Sequence, residues 1–185
     1  MAELTHDQLR GMTVAVTGAS GNLGTALLRR LTAPGAGVAQ VRGLARRQPP
    51  EIAPYAGVRW HQADLGDPSS EEPLAEFLDG VDAVVHLAWA LQPGRHPDDL
   101  RRVNVDGSRR VVRAAGVAGV RQVVHMSSIG AYAPGEVGQR VAEDWPTTGI
   151  PTTRSASDLS RLYCALGIPV VGQSSATRCP TSPGA

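Results

Sequence analysis

At 185 residues, 42% of them hydrophobic, the chain is long enough for one domain with a sizeable core, and with 4% aromatic residues that core must rest on Val, Leu, Ile and Ala. A formal charge of +1 gives no case for nucleic acid or an anionic membrane surface as a partner; no apolar run reaches the ~20 residues that span a bilayer, and residues 1–10 lack the apolar stretch of a secretory signal, so the expected compartment is the cytoplasm. The two cysteines, Cys164 and Cys179, have no spacing that suggests a disulfide framework or a metal site, and all 18 basic residues are arginine.

In chain order, the apolar run over residues 12–16 predicts a first strand, and Leu23, Ala26, Leu27 and Leu31 predict a helix over 22–33. Residues 38–44 and 58–61 read as the second and third strands, 71–78 as a short amphipathic helix, and 81–87 as a buried fourth strand. A helical pattern through Leu100, Val103, Val111, Val112 and Ala115 covers 97–117, and 121–126 contains a fifth strand. Beyond Ala131 the composition changes. Residues 132–153 are rich in Pro, Gly and Thr without a clear period, 157–166 reads as a short helix, and 168–171 as a sixth strand. Ser, Thr, Pro and Gly dominate from Gly172 onward, so the expected organisation is one domain over 1–171 and an irregular tail over 172–185. Strands alternating with helices imply an α/β fold, a doubly wound parallel sheet, and right-handed crossovers give it the strand order 3-2-1-4-5-6. Ligands of such sheets lie beyond the carboxyl ends of the strands, here Gly18, Arg46, Asp64, Ala88 and Ser127.

The most informative segment is Val16-Thr17-Gly18-Ala19-Ser20-Gly21-Asn22-Leu23-Gly24, a glycine turn between the first strand and the first helix. This arrangement sets a pyrophosphate on a helix N-terminus. Gly18 suits a backbone conformation closed to other residues, Gly21 removes a side chain where phosphates approach, and Gly24 lets helix and strand pack closely. A ribose-binding acid is expected about 20 residues on, at the end of the second strand. Leu44 and Ala45 stand there, followed by Arg46 and Arg47, with Arg42 nearby. A guanidinium pairs with phosphate, and no acid is placed to repel a 2′-phosphate, so the cofactor reading leans to NADP over NAD; the alternative is a solvated arginine face. Asp64, followed by Leu65, either accepts from an adenine amino group or caps the turn through Pro68. In the run His86-Leu87-Ala88-Trp89, small Ala88 allows the backbone to approach a ribose, while His86 reads as a core histidine rather than a catalyst.

Taken with Asn104-Val105-Asp106-Gly107-Ser108 and Val124-His125-Met126-Ser127-Ser128-Ile129-Gly130-Ala131-Tyr132, these segments fall in an order that resembles the extended short-chain dehydrogenase/reductase family, in its NAD-dependent epimerase/dehydratase branch, over roughly residues 12–150. The resemblance implies a Rossmann sheet and hydride transfer between a nicotinamide cofactor and a small-molecule substrate, a sugar nucleotide or another carbonyl or hydroxyl compound. It assigns the cofactor to Thr17, Gly18, Ser20, Gly21, Asn22, Leu23, Gly24, Arg46, Arg47, Asp64, Leu65, Leu87, Ala88, Trp89, Asn104 and Ser127. Asn104 would also steady the sheet, Ser127 would serve cofactor or backbone, and Ser128 would orient the substrate oxygen. A homodimer through the helix over 97–117 is a further implication.

The family's proton-handling pair, Tyr-x-x-x-Lys, belongs about 25 residues after that serine, where Arg154-Ser155-Ala156-Ser157-Asp158 stands instead. A shift by one places Ser155 and Leu159 there, Tyr163 is followed four residues later by Gly167, and Tyr132 has no cation at helical spacing. The family's C-terminal substrate lobe is also expected to be missing. Three readings stand side by side: an epimerase, dehydratase or reductase; a non-catalytic dinucleotide sensor or partner module; and a truncated or altered gene product diverging near Arg154.

Overall fold

The computed structural model describes residues 9–90 and 98–126, isolated positions between 133 and 145, and a short strand at 170–171. The core is a parallel sheet built from β1 (Thr13–Thr17), β2 (Gln40–Ala45), β3 (Arg59–Gln62), β4 (Ala83–His86), β5 (Gln122–His125) and β6 (Val170–Val171). Their order is β3-β2-β1-β4-β5-β6, as the crossover rule requires. The helices are α1 (Asn22–Leu31), α2 (Glu71–Leu78), α3 (Asp98–Arg101) and α4 (Ser108–Val117), with a π-helical stretch, Arg102–Gly107, joining the last two.

Alternation along the strands sends side chains to two cores. Val14, Val16 and Val41 meet Leu28 and Leu31 of α1 on one face. Ala15, Leu44, Val84 and Val123 meet Leu74, Phe77 and Leu78 of α2 and Val111, Val112 and Ala115 of α4 on the other. Both faces of the central strands are therefore dry, which explains why they read as near-continuous apolar runs. Phe77 is fully buried, and burial of a side chain that size contributes on the order of 2–3 kcal/mol.

Several boundaries differ from the sequence reading, each for a local reason. β1 extends to Thr17, which pairs with Leu44 on one side and His86 on the other. β4 starts at Ala83 because Asp82 turns its carboxylate onto the Thr13 amide, 2.7 Å away. α1 stops at Leu31, where the Thr32 hydroxyl donates to the Leu28 carbonyl at 2.9 Å. The predicted helix over 97–117 is three segments, its middle wound as a π-helix around Asn104. The helix expected over 157–166 lies outside the described residues. No helix among the described residues is long and apolar enough to cross a membrane.

Candidate functional site

The register sets Thr17, His86 and His125 side by side at the carboxyl ends of β1, β4 and β5. Immediately beyond Thr17 the chain enters the glycine turn. Gly18 has φ +66°, and a Cβ there would stand 2.7 Å from the Ala88 amide nitrogen. A Cβ on Gly24 would stand 2.4 Å from the Gly18 carbonyl and 2.5 Å from that of Ala19. Both glycines are thus required by the protein's own backbone. Gly21 differs: its Cβ would meet one carbonyl, that of Gly18, at 3.2 Å. It forms the N-cap of α1 with no side-chain hydrogen bond and no acidic residue in the first turn. Ser20, Gly21, Asn22 and Leu23 are exposed, Leu23 at 57%. The start of α1 therefore presents uncapped amides and a positive dipole end to solvent, a geometry that fits a phosphate group.

The exit from β4 is held by polar side chains from both neighbours. The Ala88 amide donates to the Thr17 hydroxyl at 3.3 Å, which lies 2.6 Å from His86 Nδ1. His86 Nε2 is 2.8 Å from the Ser108 hydroxyl on α4. One turn earlier on the same helix, the Asn104 carboxamide accepts from the Ala90 amide at 2.7 Å and donates to the Ala90 carbonyl at 2.9 Å. Asn104 and Thr17 are buried and their polar atoms occupied, so they act on the site by holding backbone. Burial pushes His86 down from 6.5 to about 3, helped by the neighbouring His125, whose ring stacks on it at 5.2 Å between centroids. His125 is lowered as well, by burial. A neutral His86 protonated on Nε2 satisfies each group in turn. Thr17 then donates to Nδ1, and Nε2–H donates to Ser108.

At the β2 exit, Arg46 and Arg47 are exposed beyond buried Leu44 and Ala45. Arg42 does not join them. Its guanidinium donates to the Phe77 carbonyl at 3.0 Å and the Asp79 carbonyl at 2.8 Å, capping the C-terminus of α2. At the β3 exit, Asp64 Oδ1 accepts from the Gly66 amide at 2.9 Å, so the turn-capping role occupies one of its oxygens while the side chain stays exposed. Leu65 is buried, and its carbonyl receives Arg110 of α4 at 2.6 Å. A Cβ on Gly107 would stand 2.9 Å from that carbonyl. One helix thus secures the exits of both β3 and β4. Leu87 and Trp89 flank Ala88, each half-buried.

Ser127, Ser128, Tyr132, Arg154 and Asp158 lie outside the described residues; Met126, exposed at 48%, is the last described position before the serines. Ser108 and Arg110 are the site's supporting residues that sequence reasoning missed. The four-residue spacing of Asn104 and Ser108, which puts both on one helix face, was the available signal. Among the described residues no cluster of His, Cys, Asp or Glu could hold a metal ion.

A glycine turn at the switch point of a parallel sheet, opening onto an uncapped helix, defines the doubly wound dinucleotide-binding class. Within that class, the chain belongs to the NAD-dependent epimerase/dehydratase family, whose pattern matches residues 14–164. It is 35% identical over 141 residues to a UDP-glucose 4-epimerase of Mycolicibacterium smegmatis, covering 73% of this chain and 44% of that protein. It is 41% identical over 122 residues to sterol demethylase protein B of Methylococcus capsulatus, covering 65% of this chain and 35% of that protein. Among solved structures, a short-chain dehydrogenase/reductase superfamily protein from Agrobacterium tumefaciens with bound NAD superposes with a TM-score of 0.66 at 30% identity, covering 82% of this chain and 44% of the other. The chain spans less than half the length of the curated relatives it matches.

Proposed function

We propose that the chain binds a nicotinamide dinucleotide across the carboxyl ends of β1 to β4, with NADP(H) preferred over NAD(H). The observation that carries this reading is Gly21. Gly18 and Gly24 answer to backbone contacts inside the protein, whereas a Cβ on Gly21 would meet one carbonyl at 3.2 Å, at an exposed helix start with no side-chain cap. A glycine there leaves room for a phosphate. The NADP preference rests on Arg46 and Arg47, both exposed, and on the lack of an acid at positions 44 and 45.

The chemistry a bound nicotinamide supplies is the uptake or release of hydride. The substrate class the family suggests is a sugar nucleotide or another compound with a carbonyl or hydroxyl at the reacting carbon. Ser128 then hydrogen-bonds the substrate oxygen. Proton transfer needs a group that can release and regain a proton near neutral pH. Arg154 stays charged there, and Asp158 offers no cation to lower a partner's pKa. Turnover by these 185 residues is therefore expected to be impaired. That absence favours a second reading, a non-catalytic dinucleotide sensor or partner module.

Fluorescence titration with NADPH and NADH tests the first claim. Saturable binding with NADPH the tighter ligand is expected, and no saturable binding of either would overturn it. Assays on UDP-sugars and simple ketones should give negligible turnover. Robust turnover unaffected by Ser128→Ala would overturn the residue roles.

A further inference from the structure

We propose that His86 is a positioning residue of the dinucleotide site: by bridging Thr17 on β1 to Ser108 on α4 it sets the spacing between the glycine turn and the backbone strap after β4. The proposal rests on the dinucleotide reading above and deepens it. Four observations carry it. Gly18 and Ala88 touch through their backbones, with no room for a single added carbon. Thr17, the residue before Gly18, accepts from the Ala88 amide at 3.3 Å and lies 2.6 Å from His86 Nδ1. The other ring nitrogen is 2.8 Å from Ser108, one helical turn from the Asn104 clamp on Ala90. The imidazole itself is 1% exposed and reaches no solvent.

Packing alone does not call for a histidine in this place. An apolar side chain of similar size fills this place without the cost of burying two nitrogens. What imidazole adds is a rigid plane with polar atoms on two edges, each engaged by a hydroxyl from a different element. Such a fully satisfied buried network fixes geometry more narrowly than apolar contact does. The geometry fixed here is the relation of the turn that meets the phosphates to the strap at Leu87–Ala90, which flanks the nicotinamide half of a dinucleotide lying across the sheet's edge. The adenosine half lies toward β2 and β3, and the β3 exit is held by Arg110 and Gly107 at Leu65 instead.

Three variants and two ligands test this. His86→Phe deletes both hydrogen bonds and keeps the ring, Ser108→Ala deletes the Nε2 partner alone, and His86→Gln restores an amide within reach of Ser108. NADPH carries both halves, and adenosine 2′,5′-bisphosphate carries the adenosine half alone. His86→Phe and Ser108→Ala should each weaken NADPH binding about tenfold, the size expected for an orphaned buried hydrogen bond, while the bisphosphate Kd stays within about twofold. His86→Gln should recover part of the NADPH loss. Should His86→Phe fail to fold, Ser108→Ala decides. Equal weakening of both ligands, or no change in either, would overturn the positioning role. Wild-type protein binding neither ligand would overturn the dinucleotide reading itself, and the proposal with it.

Discussion

Acidifying the protein from pH 7.5 to 5.0 is expected to cost about 2 kcal/mol of stability through His86 alone. The folded ring is held neutral down to about 3 by burial and by His125, against 6.5 for an exposed histidine. Between those values the unfolded chain binds a proton that the folded one does not. The contribution is therefore fully present above 6.5 and falls away as the pH drops through that window. At pH 5.0 the unfolded imidazole is almost wholly protonated and the folded one almost wholly neutral, which gives the ~2 kcal/mol by linkage. His125 and His61 are lowered in the same sense and steepen the loss. Urea unfolding of wild type and His86→Phe at several pH values isolates the His86 share, because the variant keeps His61 and His125. At an m-value of ~2 kcal/mol/M, the wild-type midpoint should fall about 1 M further than that of the variant. Identical pH dependence in the two proteins would refute the buried, neutral histidine on which this reasoning depends.

Gly21 and Gly24 of the turn should separate by mechanism. Gly24→Ala forces a carbon to within 2.4 Å of a backbone carbonyl, so a loss of about 3 kcal/mol and a melting temperature lower by roughly 10 °C are expected. Gly21→Ala meets one atom at 3.2 Å; thermal melting should stay within a few degrees of wild type while NADPH affinity, read by titration, falls about tenfold. Replacing Arg46 and Arg47 together with alanine should weaken NADPH about tenfold and leave NADH unchanged, removing the preference between them. A pair of titrations checks this, and a retained preference would send the 2′-phosphate elsewhere.

Much of this architecture is written in local pattern. Residues 71–78 form the predicted helix without a boundary error, because Asp67 caps the preceding turn and Leu74, Phe77 and Leu78 share its buried face. The strand order follows from alternation and crossover handedness, and the glycine spacing located the turn. What remained hidden depends on partners far away in sequence. The π-helical stretch at Arg102–Gly107 accompanies a bond from Asn104 to Ala90, 14 residues earlier. His86 reads as an ordinary core histidine in the sequence because its partners are 69 residues before it and 22 after. Arg42 stands four residues before Arg46 along the chain, and its guanidinium goes to α2, where it meets carbonyls 35 and 37 residues on.

The central claim is that the glycine turn and the strand ends beside it hold a dinucleotide. Chemical-shift mapping on isotope-labelled protein titrated with NADPH tests it most directly. The account predicts saturable shifts concentrated at the amides of Gly18 to Gly24, Arg46, Arg47, Leu65 and Ala88, with the amide at Gly21 among the most displaced. Shifts confined to other surfaces, or none that saturate, would contradict it.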